Sequence, residues 1–396
     1  MAAASPSAGL RPSSTAELAA LLGADSRPLE PLGYGSKRAI GRPIEAEPLD
    51  LSALTGVVDY RPAELVLTAN AATPLAEIEA LLADNGQRLA FEPPDLGPLL
   101  GTTARRSKDP VSGTQSKDPV SGTQSRQSIG GVLAANLSGS RRISAGAARD
   151  HFLGVTAVNG RGETFRAGGK VVKNVTGYDL PKLLAGSWGS LAVMTELTLK
   201  VVPQAETELT LIVPDVEPRE AVATLCAALG SAHEVSSAAF DPWRGSAIRL
   251  EGIAASVAAR RSALLEALGG PEVEELDAGA SRDFWRRTAG AGALADWAVI
   301  WRISVPPSDA PRVVEAIAPE RYLLDWGGSL IWAAYDRVDS PAVRGALRDG
   351  HAMLLKAPAD SRTCRRHPPS AAMADVLDRL RRAFDPDGRL NPGRMD

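Results

Sequence analysis

Gly33-Tyr34-Gly35-Ser36-Lys37 sets two glycines, a hydroxyl and a cation side by side. The glycines let successive backbone N–H groups turn toward one point, and with the Ser36 hydroxyl and Lys37 ammonium that set suits a diphosphate. It is not the fingerprint of a doubly wound dinucleotide fold, which needs a third glycine and a helix opening at the loop; here Gly41-Arg42-Pro43 follows. Alone, the loop reads as easily as a turn before a strand. A second segment, Ser128 to Gly139, places an apolar helical turn between glycines. Gly130, Gly131 and Ala134 permit a flat ring to approach the backbone, and Asn136 offers a donor or acceptor at its edge. A tightly packed helix entry is the competing reading. In a third, Gly177, Gly186, Ser187, Gly189 and Ser190 precede a β-branched run from Leu191 to Val202. That is either a backbone brought close to a large planar group or an ordinary loop of an α+β domain.

The elements that must position these loops follow from periodicity. Ser14 and Glu17 have capping-box spacing ahead of Leu18, Leu21 and Leu22, with Gly23 placed to end a short helix. Residues 64–69 read as a strand, and Thr73-Pro74 opens a helix whose Leu75, Ile78, Leu81 and Leu82 share a face. Val155 to Val158, Asn159-Gly160-Arg161-Gly162 and Glu163 to Arg166 predict a hairpin. Strands and helices mix without steady alternation, so the fold class is α+β. From residue 205 to 358, strand-like runs (209–213, 247–251, 297–305, 329–334) alternate with helical ones (218–229, 254–268, 310–318), which predicts a separate sandwich of ferredoxin-like type. Residues 359–396 follow, with a helix over 370–384 that carries Met373, Val376, Leu377 and Leu380 on one side, then a turn and Leu390-Asn391-Pro392-Gly393-Arg394-Met395. The nonamer SKDPVSGTQ at 107–115 is repeated unchanged at 116–124. Two polar copies cannot stack into a solenoid, so residues 105–127 are expected to form a disordered, solvated loop.

Composition narrows the function classes. A net charge of −3 over 396 residues offers no footprint for nucleic acid or an anionic membrane. Cys226 and Cys364 stand alone, so no disulfide framework, zinc site or iron–sulfur cluster can be built from this chain. The opening MAAASPSAGLRPSS lacks a basic region followed by an apolar one, and no stretch reaches the roughly 18 apolar residues of a spanning helix. The expectation is a cytoplasmic protein whose contact with the inner membrane, if any, runs through partners.

The three small-residue segments and the terminal LNPGRM together resemble the FAD-linked oxidases of the vanillyl-alcohol oxidase and p-cresol methylhydroxylase type. GYGSKRAIGRPI, KNVTGYDLPKLLAGSWGSLAVMTE, WRISVP, LDWGG and FDPDGRLNPGRM extend the likeness to the FAD-binding subunits of bacterial glycolate oxidase, across nearly the whole chain except the repeat. The resemblance implies a two-part FAD-binding domain over 1–204, a smaller ferredoxin-like cap over 205–358, and a C-terminal segment returning to the flavin. It implies that Gly33, Tyr34, Gly35, Ser36 and Lys37 hold the FAD diphosphate, that Pro94, Gly130, Gly131 and Asn136 line the flavin, that Ser187, Gly189, Val193 and Thr195 line the adenosine and ribityl side, and that Asn391 lies near the ring. With no histidine at a linkage position, the FAD is expected to be noncovalent. Ala192 stands where the related pattern has glycine, and it and the doubled nonamer are the two departures expected to lower FAD occupancy.

The implied function is glycolate oxidation to glyoxylate within a complex containing a second FAD-binding subunit and an iron–sulfur subunit, with quinone as final acceptor. A stand-alone D-2-hydroxyacid dehydrogenase and a non-catalytic assembly subunit remain open. Arg302 could bind a substrate carboxylate and His351 could act as a base, but an arginine flanked by Trp301 on a buried strand reads more simply as a structural cation–π or salt-bridge partner. No catalytic residue is assigned, and none of the histidines (His151, His233, His351, His367) has metal-pair spacing.

Overall fold

The computed structural model describes residues 10–102, 126–170, 177–214 and 217–395. Both copies of the nonamer and residues 171–176, which include the KNVT of the third segment, lie outside them. Of the expected loop 105–127, Arg126 and Gln127 are described, and Gln127 is buried rather than solvated.

The N-terminal part is built in two pieces. In the smaller, β1 (Leu29–Leu32) and β2 (Glu47–Asp50) pair in parallel. Leu390 bridges in parallel to Leu29 and Leu10 to Leu49, so both ends of the described chain are tied to this pair. The larger piece is a five-stranded antiparallel sheet in the order β3 (Val57–Arg61), β4 (Val66–Asn70), β8 (Ala192–Lys200), β6 (Phe152–Asn159), β7 (Thr164–Gly168). Two short strands, β5 (Gln87–Arg88) and β9 (Val202–Pro203), pair beside it.

The central β8 shows why its sequence is apolar on both faces. Val193 packs with Leu18, Leu22, Leu29, Leu49 and Leu390 of the smaller piece, while its neighbours Ala192 and Met194 join the core on the opposite side. Successive side chains of a strand point to opposite faces, so a strand buried on both must be apolar throughout. Ser14 caps the helix Thr15–Ala24 by accepting from the Glu17 amide at 3.2 Å. The Glu17 carboxylate, however, accepts from the Ser13 amide and hydroxyl, each at 2.8 Å, and not from Ser14, so the expected reciprocal box is only half made.

The second part is one continuous eight-stranded sheet, ordered β13 (Glu274–Leu276), β10 (Thr207–Val213), β12 (Gly245–Gly252), β11 (Ser237–Asp241), β15 (Arg321–Asp325), β16 (Leu330–Tyr335), β14 (Val299–Ser304), β17 (His351–Lys356). It is two βαββαβ units in tandem, with helices Pro218–Gly230 and Ala254–Ala267 in the first and Ala310–Ile317 and Ser340–Gly345 in the second. The units meet edge to edge where Phe240 pairs with Leu324. Along β14, Val299, Trp301 and Ile303 face the helices of this part, whereas Ile300 packs into the core shared with Leu67, Phe91 and Leu133 of the first part. Arg302 occupies the same alternate position as Ile300. The two parts therefore share one apolar core. The C-terminal helix Ala371–Phe384 forms as expected; none of its residues is fully buried, Leu380 and Phe384 packing partly on the core while Met373 and Val376 are exposed.

Candidate functional site

The loop after β1 meets the second glycine segment face to face. A Cβ at Gly33 would fall 2.7 Å from the Ser128 hydroxyl, and one at Gly131 would lie 3.8 Å from Lys37 Nζ. Ser128 caps the short helix Ile129–Ala134, accepting from the Gly131 amide at 3.2 Å, and Gly130 donates to the Ala71 carbonyl at 2.7 Å. A Cβ at Gly130 would strike that same carbonyl, so only glycine allows the approach. The smaller and larger pieces of the first part thus come together at these residues.

The amides of Tyr34, Gly35, Ser36 and Lys37 make no hydrogen bond among the described residues. Gly35 has φ +69 and open space where its Cβ would be. Successive unpaired N–H groups in such a turn form an anion-binding concavity. Lys37 Nζ donates to Gln127 Oε1 at 2.9 Å and Ser36 Oγ at 3.3 Å, with no carboxylate among the described residues in ion-pair range. Burial pushes its pKa down to about 8, against a smaller opposing pull from Asp95. Both flanks of the nonamer segment rest on this loop: Thr102 Oγ1 donates to the Ser36 carbonyl at 3.1 Å, and the Arg126 guanidinium lies 4.1 Å from the Tyr34 ring centre. Pro94 is tied in through Gln127, whose Nε2 donates to its carbonyl at 3.2 Å, and it also lines a cavity of about 310 Å³ where the two parts meet.

A second cluster forms around Trp188. Its amide donates to the Ala134 carbonyl at 2.8 Å and its carbonyl accepts from Asn391 Nδ2 at 2.8 Å. Asn136 (φ +49), Trp188 (φ +56) and Asn391 (φ +48) are all left-handed and non-glycine, and such strain concentrates at sites where geometry is imposed for a purpose. A Cβ at Gly186 would sit 3.5 Å from Asn136 Cβ, and one at Gly189 would sit 3.2 Å from Asn391 Nδ2. Asn391 Oδ1 is buried without a partner. The structure therefore groups Gly33, Ser36, Lys37 and Gly131 at one place, and Asn136, Gly186, Gly189 and Asn391 at another. Ser187 lies in the same turn, its carbonyl accepting from Ser190 Oγ at 2.6 Å. Val193 and Thr195 are buried in the central strand: Thr195 Oγ1 donates to the Thr156 carbonyl at 3.2 Å and accepts from Thr15 at 2.9 Å, and the Thr195 carbonyl accepts from the Ala71 amide at 2.9 Å, so their side chains are committed to packing. The Ala192 methyl likewise joins the core.

The second part reaches the same region. Trp326 Nε1 donates to the Gly139 carbonyl at 3.0 Å, and Ser140 Oγ donates to Asp325 Oδ2 at 2.7 Å. Arg302 stacks on Trp326 and Trp332, with its guanidinium 4.9 and 5.7 Å from the ring centres. The expected cation–π contact of Arg302 is thus made with these two rings and not with its chain neighbour Trp301, which alternation sends to the other face, under Arg344. Sequence reasoning missed Arg142, whose guanidinium is 4.3 Å from the Trp326 ring centre; nothing local in Arg141-Arg142-Ile143 signals that contact. His151 stays structural, with its Nε2 2.8 Å from the Ala145 carbonyl. Among the described residues no group of His, Cys, Asp and Glu is placed to hold a metal, and no helix is long and apolar enough to cross a membrane.

Comparison with known proteins fits this arrangement. Residues 6–107 match the family model described as an FAD binding domain. The chain is 35% identical over 377 residues to glycolate oxidase subunit GlcE of Escherichia coli, covering 94% of this chain and 93% of that one. Shorter matches join it to glycolate oxidase subunit GlcD of Bacillus subtilis (43% over 77 residues, 19% of this chain and 16% of the other) and to D-lactate dehydrogenase of Anaerostipes hadrus (38% over 93 residues, 24% and 20%). Among solved structures, alkyldihydroxyacetonephosphate synthase superposes with a TM-score of 0.64 over 96% of this chain and 76% of that one, at 14% identity, which is a likeness of fold alone.

Proposed function

The chain belongs to the family of FAD-linked oxidases that includes glycolate oxidase subunit GlcE, and on that premise we propose that it is the FAD-binding subunit of a complex oxidising glycolate to glyoxylate. FAD is its cofactor. The observation that carries the reading is the cradle between the two pieces of the first part: four consecutive amides and a half-buried ammonium that have, among the described residues, no hydrogen-bond acceptor and no carboxylate partner respectively, and glycine backbones whose Cβ atoms would crowd their neighbours. Those features fit a dianionic diphosphate joined to a flat ring.

On this reading Tyr34 to Lys37 hold the diphosphate, with Gly33 permitting the approach of Ser128. Pro94, Gly130, Gly131 and Asn136 line the ring, and Asn391 supplies its unpaired Oδ1 at the edge. Ser187, Gly189, Val193 and Thr195 lie along the ribityl and adenosine side. The bound FAD is noncovalent and supplies a hydride acceptor. Oxidising glycolate removes a hydride from the carbon and a proton from its hydroxyl. The cap, docked through Trp326 and Asp325 on Gly139 and Ser140, closes the ring region from water. With only two cysteines, electrons leave to a cluster held elsewhere, so an iron–sulfur subunit, a second FAD-binding subunit and quinone complete the pathway. The chain acts at the cytoplasmic side and meets the inner membrane through those partners.

Purification of the chain alone and with companion subunits tests this. The proposal expects bound FAD in both and glycolate turnover only in the complex. Dye reduction with D-lactate or glycolate by the isolated chain would instead establish a stand-alone dehydrogenase. A colourless chain in a fully active complex, indifferent to substitution at Lys37 and Gly131, would leave only an assembly role.

A further inference from the structure

Resting on the reading of this chain as an FAD-dependent oxidase of 2-hydroxy acids, we infer that Arg142 and Arg302, gathered on Trp326 at the seam between cap and first part, form an anchor for the carboxylate of a small hydroxy acid. The two arginines come from different parts, Arg142 from the turn after the expected flavin-lining segment and Arg302 from β14. Their guanidiniums lie 4.3 and 4.9 Å from the same ring centre. Neither side chain makes a hydrogen bond or ion pair with a described residue. Both residues are only partly buried, and neither has a nitrogen among the buried ones that lack a partner.

That is unusual in this molecule, where the other arginines at the seam are committed. Arg249 and Arg141 bind Glu92 and Glu251, and Arg88 binds Glu251. Asp325, whose charge acts on Arg302, already accepts from Ser140 Oγ and from the Trp326 amide at 2.7 Å each. Desolvation first and then the charge of Arg142 push the Arg302 pKa down to about 10, against a smaller opposing pull from Asp325. His351, on the same sheet face as Arg302, has its pKa lowered by desolvation and then by Arg302, His367 and Arg142, so the positive field extends along that face. Trp326 itself is held at φ +55 and followed by Gly327 and Gly328, both at positive φ. A strained, buried tryptophan that presents two open guanidiniums suits bidentate capture of a planar carboxylate.

The test uses the full-length, FAD-loaded chain, titrated with glycolate and with the neutral isostere glycolamide by calorimetry and by perturbation of the flavin spectrum. Arg302→Met and Arg142→Met keep the stems that pack on tryptophan and remove the charge. Each should weaken glycolate binding about tenfold or more, the scale of a lost charge-assisted pair, while glycolamide binding and FAD content stay as in the wild type. Arg302→Lys keeps the cation but loses the planar fork, so it should bind glycolate more weakly than wild type yet more tightly than Arg302→Met, which guards against a folding defect in the methionine variant. Equal glycolate affinity in wild type and both methionine variants overturns the anchor, as does an FAD-loaded wild-type chain that binds no glycolate. If the assembled wild-type complex still oxidises glycolate in either case, the proposed function stands and only the anchor falls.

Discussion

Lys37 donates to Gln127 and Ser36 from a half-buried position, and burial brings its pKa to about 8. A diphosphate beside it favours the protonated form. FAD affinity should therefore be level below about pH 8 and fall as pH rises above it, by up to about tenfold per unit until the pKa of the bound state is reached. Lys37→Met should bind FAD more weakly by about 1.5–3 kcal/mol at neutral pH and lose that pH dependence, as measured by flavin fluorescence titration. A wild-type affinity flat to pH 10 would remove Lys37 from the site. This loop was legible in the sequence because glycines, a hydroxyl and a cation adjacent in the chain are adjacent in space. Arg142 and Trp326 were not legible together, because no local pattern reports that a turn after Gly139 will meet the end of β15.

The seam between the parts is fixed by ions as well as by apolar contact. The side chain of Arg249, on β12, is wholly buried and grips Glu92 through two hydrogen bonds of 2.9 and 2.8 Å, while Arg141 binds Glu251 at 2.7 and 2.9 Å. Burial alone would raise the Glu92 carboxyl, but Arg249 and Arg141 hold it below its ordinary value. Arg249→Met should cost about 3–5 kcal/mol in urea unfolding, because it strands Glu92 near the protein interior, and adding Glu92→Gln should restore part of the loss. A cost under about 1 kcal/mol would mean that the network is solvated and idle. At this scale periodicity served well for long elements, including the helix Leu75–Asp84, the hairpin of β6 and β7, and β10. It missed β11, β15 and β17, whose short runs SAAFD, RYLLD and HAMLLK mix small, charged and apolar residues and become strands only through their neighbours in the sheet. The C-terminal helix was predicted by its stripe, but a stripe does not say whether anything covers it, and here Met373 and Val376 lie open.

Across the whole molecule, Ile300, Leu323 and Trp332 of the cap share a core with Leu67, Phe91 and Leu133 of the first part. A shared core couples the parts, so thermal unfolding followed by tryptophan fluorescence, which reports mainly on the cap, should coincide with flavin release in one transition. Separate transitions would show that the interface contributes little to stability. The tandem extent of the cap was beyond the sequence reading, which predicted a single ferredoxin-like sandwich where two βαββαβ units join through β11 and β15. The central claim is that two glycine-lined pieces close on FAD without covalent attachment. It is tested most directly by loading the purified full-length chain with FAD, removing free flavin by gel filtration and precipitating the protein with acid. The account predicts about one FAD per chain retained through filtration and released entirely to the supernatant by acid. A folded chain that emerges colourless, or a precipitate that keeps its flavin, would contradict it.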